Sequence, residues 1–417
     1  MKILVVGGGG REHAIIKKLK DTRDDLQIIC APGNGGIGED ALCVKIDAMN
    51  LEHICKYAKA QEFELVIVAP DDPLVAGLVD MLEAQGIRTF GPSKQAAKIE
   101  GSKVFAKDLM KKYDIPTADY EVFEDFKKAS KYIKTAKIPT VIKADGLAFG
   151  KGVLICKTRE EAEQALELIM IQKKFLQAGN KVVIEEYIEG PEVSILSFCD
   201  GKTIKPLSSA QDHKKAYDND EGKNTGGMGA FSPTEKYTSE IQKYVEKNII
   251  FKTLDALNSE GIKFKGVIYF GVMLTKEGPK LLEYNARFGD PEAQVVLPKI
   301  EGDLLSIMEA VIDERLSEVP FRFDKRTGVC VVLASGGYPE KYQTGYTIKG
   351  LDKIDNDIAV FHAGTKARNK HLYTNGGRVL GITAFGRNIE EAREKVYKNI
   401  EKIKFDDMQY RKDIGIK

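Results

Sequence analysis

Short apolar runs alternate with amphipathic segments over the first hundred residues. The runs with the length and composition of buried strands are 2–6, 27–30 and 65–69. The segments with helical spacing of apolar residues are 11–19, 51–59 and 75–85. Because strands that alternate with helices pack as a parallel sheet covered on both faces, the pattern predicts an α/β domain over residues 1–102.

The pattern changes after Gly91-Pro92, where two short helical segments are followed by strand-rich sequence. The second of these helices is expected to begin after Ser102, a good N-cap residue. The segments predicted as strands are 140–144, 152–156 and 181–188. We therefore expect a central α+β region over 103–327, including a small flap subdomain at about 118–190.

Strand and helix signals return in the last part of the chain. Apolar strands are predicted at 329–334 and 379–385. A long final helix carries apolar residues at helical spacing, namely Ile389, Ala392, Val396, Ile400 and Ile403. This part is predicted as a carboxyl-terminal α/β domain over 328–417, and its sequence alone assigns it no role.

Composition and charge restrict the function classes. Lys and Arg number 63 and Asp and Glu 62 in 417 residues, a formal net charge of +1, so no global field favours nucleic acid or a membrane surface. The apolar runs fall short of the roughly 18 residues of a membrane helix, and the start of the chain lacks the apolar segment of a signal peptide. The 6 cysteines and 5 histidines lack CxxC and HxxxH spacing, which argues against a zinc site. These features predict a cytoplasmic protein with reduced cysteines.

A glycine turn, Gly7–Gly10, joins the first predicted strand to the first helix. Backbone amides at such a helix start bind phosphate. The GxGxxG pattern of dinucleotide-binding domains fails, because its third glycine falls on Glu12 or His13 and the second strand lacks a terminal acidic residue. A small phosphorylated ligand fits better, although a tight turn without a ligand has the same pattern. The loops 32–36 and 70–73 would lie at the same sheet edge.

A second glycine-rich loop lies between two apolar strands in the segment Val141–Ile155. A turn of this kind can fold over a polyphosphate and present backbone amides to it. Lys143 ends an apolar strand, where a lysine is costly unless it meets an anion. The loop does not match a Walker A motif, because Lys151 is followed by Gly152. An ordinary hairpin with a solvated lysine is the alternative.

The segment Lys280–Phe288 reads KLLEYNARF and is predicted as a strand. Because alternate residues of a strand share a face, Glu283, Asn285 and Arg287 would point the same way. A carboxylate beside an amide oxygen suits Mg²⁺, which commonly bridges nucleotide phosphates. Arg287 offers a planar fork for a substrate carboxylate. A solvated polar face is the alternative for this strand read alone.

A weaker signal is the strand Val182–Ile188, which ends in Glu185-Glu186-Tyr187-Ile188 and is followed by Glu192. A chain that passes a purine can offer its backbone groups to the base, and a carboxylate can accept the ribose hydroxyls. Alone, this segment does not distinguish a nucleotide site from an ordinary strand.

Several segments together resemble the phosphoribosylamine–glycine ligase (glycinamide ribonucleotide synthetase) family of the ATP-grasp superfamily. They are GSKVFAK, IKADGLAFGKGV, VVIEEYIEGPEVS, QDHKKAYDNDEGKNTGGMGAFSP and LLEYNARFGDPEAQ. The resemblance extends from GGGGREHA at the start to YRKDIGIK at the end. It implies an ATP-grasp fold with an amino-terminal parallel-sheet domain, a small flap domain and a carboxyl-terminal α/β domain.

The activity implied by the resemblance is ATP-dependent ligation of glycine to 5-phosphoribosylamine. The products would be glycinamide ribonucleotide, ADP and phosphate, formed through a glycyl phosphate in the second step of de novo purine biosynthesis. The implied cofactors are ATP and Mg²⁺, with Mn²⁺ as an alternative. The implied partners are these small molecules, with no nucleic acid and no membrane. A monomer that contacts the preceding amidotransferase transiently is expected.

The resemblance also implies roles for individual residues. The residues expected to bind ATP are Lys103, Lys143, Gly146, Gly150, Lys151, Gly152, Glu185, Glu186, Ile188 and Glu192. Glu283 and Asn285 would ligate the metal. The residues expected to bind the other substrates are Gly9, Gly10, Asn34, Asp71, Asp212, Gly226, Gly227 and Arg287. Catalytic roles would belong to Arg287, Lys143 and Asp212.

Two positions depart from the family pattern. Asp71 replaces the usual glutamate and is one methylene shorter, which puts its ribose contact in doubt. Met273 occupies the place where many ATP-grasp relatives carry a second metal-binding carboxylate, so Glu283 would be the principal anionic ligand.

Three rival functions are weighed against this one. An ATP-grasp ligase with another acceptor would lack the NTGGMG and NARFGDPE segments. A dinucleotide-dependent oxidoreductase would need the missing third glycine and acidic residue. A non-catalytic nucleotide-binding module would be expected to lose Lys143, Glu283 or Asn285, and all three are present.

Overall fold

The computed structural model describes residues 1–147 and 152–416. It is a mixed α/β structure, as predicted, with one parallel sheet and several antiparallel sheets. Among the described residues, none belongs to a helix that is both long and apolar enough to cross a membrane.

The amino-terminal part contains a five-stranded parallel sheet with strand order β3-β2-β1-β4-β5. Its elements are β1 Lys2–Gly7, α1 Gly10–Lys20, β2 Gln27–Pro32, α2 Ile37–Asp40, β3 Leu42–Cys43, α3 Leu51–Ala60, β4 Leu65–Val68, α4 Asp71–Ala76, α5 Leu78–Glu83 and β5 Thr89–Phe90. The helix predicted at 75–85 begins earlier and is interrupted at Gly77. The reason is that Gly77 adopts φ +97°, a left-handed conformation that glycine tolerates.

The flap region follows a pair of helices and contains a four-stranded antiparallel sheet with order β6-β9-β7-β8. The pair of helices is α6 Lys98–Gly101 and α7 Lys103–Lys112. The elements of the flap region are β6 Tyr120–Phe123, α8 Phe126–Ile133, β7 Thr140–Ala144, β8 Val153–Cys156, α9 Arg159–Leu166 and β9 Val182–Glu186. As predicted, Ser102 caps α7, and its hydroxyl accepts a hydrogen bond from the Phe105 amide. The helices α8 and α9 bury a small apolar core of their own against this sheet.

A second four-stranded antiparallel sheet, β11-β10-β16-β17, forms the base of the central region. The elements of this region are β10 Glu192–Cys199, β11 Ile204–Pro206, β12 Gln211–Asp212, β13 Lys215–Tyr217, β14 Glu221–Asn224, β15 Gly229–Ser232, α10 Ser239–Val245, α11 Phe251–Ser259, β16 Gly266–Thr275, β17 Gly278–Asn285, α12 Ala293–Val296 and α13 Leu304–Ile312. Its apolar face shares a continuous core with the amino-terminal sheet, including Leu4, Val66, Ile195 and Ile268. This shared core fixes the two regions against each other.

The last part contributes most of a sheet with strand order β12-β15-β18-β23-β20, in which β24 also pairs with β18. Its elements are β18 Thr327–Ser335, β19 Thr347–Ile348, β20 Ala359–His362, β21 Thr365–Arg368, β22 His371–Thr374, β23 Arg378–Gly386, α14 Ile389–Ile400 and β24 Met408–Gln409. Two strands of this sheet, β12 and β15, come from the central segment 211–232. The carboxyl-terminal residues are thereby joined to the middle of the chain by backbone hydrogen bonds.

Candidate active site

A cleft of about 940 Å³ lies where the amino-terminal, flap, central and carboxyl-terminal elements meet. Residues predicted from the sequence that line it are Asp71, Lys103, Lys143, Gly146, Gly152, Glu185, Glu186, Ile188, Glu192, Asp212, Gly226, Glu283, Asn285 and Arg287. Gly9, Gly10, Asn34 and Gly227 are not among its lining residues. Gly150 and Lys151 lie outside the described residues.

The first turn of α7 is tied to the start of the flap loop. The Asp145 carboxylate accepts hydrogen bonds from the Ser102 hydroxyl at 3.0 Å and from the Val104 amide at 3.1 Å. Lys103 Nζ donates to the Gly146 carbonyl at 2.8 Å. Burial lowers the pKa of Lys103, because the charged ammonium is removed from water. An anionic ligand in the cleft would stabilise the charged form of Lys103, which burial disfavours.

A buried carboxylate lies between two lysines at the floor of the cleft. Glu185 is 3% exposed, and its oxygens lie 2.9 Å from Lys143 Nζ and 3.1 Å from Lys107 Nζ. Lys107 also donates to the Thr117 hydroxyl at 2.7 Å. Burial lowers the pKa of Lys107 to about 8 even though Glu185 opposes the shift. This triad therefore holds two cations and one anion where solvent hardly reaches.

Lys107 was missed by the sequence reasoning, although a signal for it was present. It follows Lys103 by four residues, which places both ammonium groups on one face of α7. The adenine contact expected of Glu185 stays a prediction, and the structure places its carboxylate between Lys107 and Lys143. The neighbouring segment 186–188 lines the cleft, so its backbone is available to a base.

Acidic and basic groups alternate across the strands β10, β12 and β17. Lys214 is paired with Glu192, and its Nζ lies 3.9 Å from Glu283. Burial alone would lower the pKa of Lys214, but Glu192, Asp212 and Glu283 raise it well above its ordinary value. Burial favours protonation of Glu283, but Lys214, Lys143, Lys103 and Arg287 hold its pKa below the usual value. Glu283 is therefore an ionised carboxylate facing the cleft.

Glu283 and Asn285 are the two oxygen donors predicted to bind a metal, and both line the cleft from β17. Within residues 1–147 and 152–416, no group of three His, Cys, Asp or Glu side chains is arranged to hold a metal ion. Met273 lines the cleft on the neighbouring strand β16, as expected from the sequence. A carboxylate and an amide without further protein ligands suit Mg²⁺, which keeps waters and binds phosphate oxygens.

Asp212 lies at the end of β12 beside a second carboxylate, Glu292. Burial raises the pKa of Asp212 well above its ordinary value, and Glu292 and Glu192 add to the shift while Lys214 opposes it. Burial also raises the pKa of Glu292. The Glu292 carboxylate accepts a hydrogen bond from Ser194 at 3.3 Å, and Ser194 in turn shares a 2.7 Å hydrogen bond with the Tyr269 hydroxyl. The raised pKa makes the Asp212 carboxylate a stronger proton acceptor than a solvated aspartate.

Arg287 lies just beyond β17 with its guanidinium among carboxylates. Its Nη2 lies 2.8 Å from Glu100 and 3.9 Å from Asp71. Burial alone would lower the pKa of Arg287, but Glu100 and Asp71 raise it, so the side chain stays charged. Burial raises the pKa of Glu100 to about 6, while Arg287 opposes the shift. The short Asp71 side chain thus faces Arg287 and the cleft.

The glycine turn and Asn34 satisfy groups within the protein. The Gly9 amide donates to the Glu12 carboxylate at 2.5 Å. The Asn34 amide donates to the carbonyls of Gly8 at 3.0 Å and His362 at 2.8 Å, and its oxygen accepts from the Gly36 and Ile37 amides. In this structure the side chain of Asn34 therefore holds two loops together, outside the cleft lining.

The carboxyl-terminal part contributes Tyr338, Pro339 and Arg378 to the cleft. Arg378 Nη1 donates to the carbonyls of Asp290 at 2.6 Å and Gly226 at 2.8 Å. Sequence reasoning missed these residues, and no motif around them marks them. Their partners lie about ninety to one hundred and fifty residues away in sequence, so only the folded chain shows the contact.

Comparison with known proteins places the whole chain in one family. Models for the N domain, the ATP-grasp (A) domain and the C domain of phosphoribosylglycinamide synthetase match residues 1–100, 101–293 and 328–417. A phosphoribosylamine–glycine ligase of Halalkalibacterium halodurans is 47% identical over 417 residues, which cover 100% of this chain and 97% of that protein.

Solved structures show the same likeness. The crystal structure of phosphoribosylamine–glycine ligase from Thermotoga maritima superposes with a TM-score of 0.88 and 33% identity, covering 100% of both chains. The biotin carboxylase domain of the Hydrogenobacter thermophilus 2-oxoglutarate carboxylase has a TM-score of 0.76 at 17% identity, covering 98% of this chain and 91% of that one. The second likeness is one of fold alone.

Proposed function

The chain belongs to the phosphoribosylglycinamide synthetase family, and from that premise we propose that it ligates glycine to 5-phosphoribosylamine at the expense of ATP. The reaction is ATP + glycine + 5-phosphoribosylamine → glycinamide ribonucleotide + ADP + phosphate, with release of one proton. The enzyme is then a carbon–nitrogen ligase of purine biosynthesis.

One observation carries the proposal. A single cleft brings together the lysines Lys103 and Lys143, the donors Glu283 and Asn285, and Arg287. These are groups for polyphosphate, for a phosphate-bound divalent metal and for a carboxylate, in that order. A ligase that activates a carboxylate with ATP needs all three in one place.

In the first half-reaction, a glycine carboxylate oxygen attacks the γ-phosphorus of ATP. The bond from that phosphorus to the β-phosphate bridging oxygen breaks, ADP leaves, and glycyl phosphate forms. Arg287 would hold the glycine carboxylate through its planar guanidinium, and Lys103 and Lys143 would hold the transferring phosphates. No nucleophilic side chain is needed for this step.

A divalent cation, Mg²⁺ with Mn²⁺ as an alternative, would supply charge neutralisation between the phosphates when bound. Glu283 and Asn285 fit it, since both are oxygen donors on the same face of β17 and Glu283 is ionised. Lys103 on α7 and Lys143 on β7 would add further positive charge for the phosphates.

In the second half-reaction, the amine of phosphoribosylamine attacks the glycyl carbonyl carbon. The bond from that carbon to the phosphate oxygen breaks and phosphate leaves. The attacking nitrogen loses a proton, and Asp212 is suited to take it because burial raises the pKa of its carboxyl. Asp71 and Gly226 would lie at the acceptor side of the cleft.

Water must be kept from an acyl phosphate until the amine attacks. The loop between β7 and β8 begins at Asp145 and Gly146, which are tied to α7 at the edge of the cleft. The loop predicted from the sequence to cover ATP is Gly146–Gly152, whose residues 148–151 lie outside the described part of the chain, and we expect its cleavage by protease to fall when ATP and Mg²⁺ are added. Equal cleavage with and without ATP would contradict that closure.

The proposal is tested by measuring ADP release with Mg²⁺, glycine and phosphoribosylamine made in situ from ribose 5-phosphate and ammonia. ADP formed only with both substrates, together with glycinamide ribonucleotide detected by mass, is the expected result. ADP formed with glycine and an unrelated amine would keep the reaction class and change the acceptor.

The acyl phosphate is tested separately with glycine labelled by ¹⁸O in its carboxylate. Attack of that carboxylate on ATP carries one labelled oxygen into the released phosphate. Unlabelled phosphate from an active enzyme would contradict the glycyl phosphate. The monomeric state, the cytoplasmic location and a transient contact with the preceding amidotransferase stay predictions.

A further inference from the structure

Arg378 joins three parts of the chain beside the cleft. From the first residue of β23, its Nη1 donates to the carbonyls of Gly226 and Asp290 and lies 3.4 Å from the Asp290 carboxylate. The Gly227 carbonyl lies at 3.5 Å from the same nitrogen. The side chain is 22% exposed and lines the cleft. One guanidinium nitrogen thus holds both the loop at 226–227 and the Gly289-Asp290-Pro291 segment.

Tyr338 holds the same loop from its other side. The Gly226 amide donates to the Tyr338 hydroxyl at 3.1 Å. This packing leaves little room for a side chain in the loop, above all at Gly227. A Cβ added at Gly226 would lie 3.0 Å from the Arg378 guanidinium, and Gly227 adopts φ +111° with Pro291 directly against it.

The clamped loop lies beside the group proposed to accept the proton. Thr225 donates through its amide to the Lys214 carbonyl at 2.7 Å, and the Met228 amide donates to the His213 carbonyl at 2.8 Å. Asp212 immediately precedes these two residues. The two residues that follow Asp212 are therefore hydrogen-bonded to this loop, which joins the loop to the backbone that carries Asp212.

Asp290 extends the contact to the amino-terminal helix. Its carboxylate accepts a hydrogen bond from Gln294 at 2.7 Å, and an added Cβ at Gly9 or Gly10 would lie 3.5 or 3.6 Å from its oxygens. Burial favours its protonation, but Arg378, Arg11 and Gln294 hold the pKa of Asp290 below its usual value. The ionised partner of Arg378, Asp290, therefore lies beside the start of α1.

We propose that Arg378 is a positioning residue for the acceptor, through which the carboxyl-terminal region holds the Gly226-Gly227 loop and Asp212 in place for amine attack. The inference rests on the proposed ligation and assigns this chain's carboxyl-terminal region a part in its second half-reaction. Arg378 acts on the loop and Asp290, and the nucleotide groups on α7, β7 and β17 are not among its hydrogen-bond partners in the described chain.

The test compares Arg378→Gln and Arg378→Lys with the wild type in the presence of ATP, Mg²⁺, glycine and phosphoribosylamine formed in situ. We expect Arg378→Gln to raise the KM for phosphoribosylamine, or lower kcat, by about 10- to 100-fold, the size of effect seen when a reacting group is misplaced by about 1 Å. The KM for ATP should stay within about twofold. Because amine attack is slowed in this variant, more of the glycyl phosphate should be hydrolysed by water, so more ADP than glycinamide ribonucleotide should form.

Two further variants separate positioning from folding. Arg378→Lys keeps the charge beside Asp290 and should recover part of the activity, while Tyr338→Phe removes only the hydroxyl and should raise the same KM by a few-fold. Arg368→Gln, an exposed arginine on β21 of the same region, should leave all constants unchanged. Thermal unfolding of each variant shows whether it is folded.

The inference is overturned if Arg378→Gln is folded and matches the wild type, or if the KM values for ATP, glycine and phosphoribosylamine all rise together with a fall in Tm. A wild type that forms no glycinamide ribonucleotide would overturn the proposed function and this inference with it. An active wild type with an unaffected Arg378→Gln variant would overturn this inference alone.

Discussion

The nucleotide side of the cleft draws most of its charged groups from one stretch of chain, whereas the acceptor side draws them from segments spread between Asp71 and Arg378. On the first side, Lys103 and Lys107 lie on α7, and Lys143 and Glu185 lie on strands of the flap sheet that follows it. On the second side, Glu100, Asp212, Arg287 and Arg378 come from four distant elements. Residues within recognisable segments could be named from the sequence on both sides, whereas Lys107 on the first side and Glu100 and Arg378 on the second emerged only in the folded chain.

The two sides also differ in charge. The nucleotide side gathers three lysines, Lys103, Lys107 and Lys143, and a single carboxylate, Glu185, is paired with two of them. The acceptor side pairs each arginine with carboxylates, as Arg287 does with Glu100 and Arg378 with Asp290. Charges that are already paired before substrate binds fix the geometry of the site at little cost in reorganisation. Variants that affect one side and spare the other test this division.

The largest effect is expected at Arg287. Arg287→Lys should lower kcat/KM for glycine by about 10³-fold, because an ammonium cannot offer the paired N–H groups that a carboxylate accepts from a guanidinium. ATP binding should change little. The measurement is steady-state ADP release at varied glycine, with Arg88→Lys, an exposed arginine paired with Asp313, as the matched control. If Arg287→Lys weakened ATP binding as much as it lowered kcat/KM for glycine, the two sides of the cleft would not be functionally separate.

The next effect is on the nucleotide side. Lys143→Met should raise the KM for ATP by about 10²-fold, since a charged hydrogen bond to phosphate is lost at a site with little access to water. The KM for glycine should stay within a few-fold. Lys181→Met removes a half-exposed lysine of the same region, paired with Glu124 outside the cleft lining, and should have no effect. If Lys143→Met raised the KM for glycine and left the KM for ATP unchanged, Lys143 would belong to the glycine side of the cleft instead.

A smaller effect is expected at Lys107. Lys107→Met should raise the KM for ATP by about 10-fold, because Lys107 acts through Glu185 and Lys143 remains. Burial lowers the pKa of Lys107 to about 8, so the wild type should lose ATP affinity as the pH rises through that value and the variant should not. Titration with a fluorescent nucleotide across this pH range measures the affinity of each protein. If the wild type and the variant have identical pH profiles, Lys107 is not the group whose titration changes ATP affinity.

The smallest effect concerns Glu100 and stability. Its folded pKa of about 6 lies above the ordinary value of 4.5, so the folded state binds the proton more tightly and the stabilisation from Glu100 is present at low pH and lost as the pH rises through 6. As the pH rises from about 5 to about 7, the free energy of unfolding of the wild type should therefore fall by about 1 kcal/mol relative to that of Glu100→Gln. Urea unfolding at the two pH values measures this. If the wild type instead gained stability relative to the variant over this pH range, the attraction of Arg287 for the ionised Glu100 would outweigh the effect of burial on its pKa.

Particular residues show how far sequence reasoning reached. The capped helix after Ser102, the hairpin strands around the flap and the strand that carries Glu283 and Asn285 are all present as predicted. These elements depend on local patterns, namely a capping hydroxyl and alternating apolar residues, which a sequence displays directly. The parallel sheet of the first hundred residues was visible for the same reason.

Other residues changed meaning once they were placed in space. Glu185 reads as a residue at the base of the nucleotide, and the folded chain puts its carboxylate between Lys107 and Lys143. The Gly9 amide reads as part of a phosphate cradle, and in the structure it donates to Glu12. A backbone or side-chain group has a limited number of hydrogen bonds, and which partner takes them depends on what the fold brings close.

The sequence by itself determined the family, the local elements, Glu283 and Asn285 on β17 and Lys103 on α7, because these follow from short-range spacing and from recognisable segments. Only the tertiary structure decided that β12 and β15 join the carboxyl-terminal sheet and that Arg378 reaches Asp290 and the Gly226-Gly227 loop. The physical reason is that these contacts are fixed by the packing of buried apolar faces far apart in the chain, and such packing leaves no periodic mark at the polar residues it brings together.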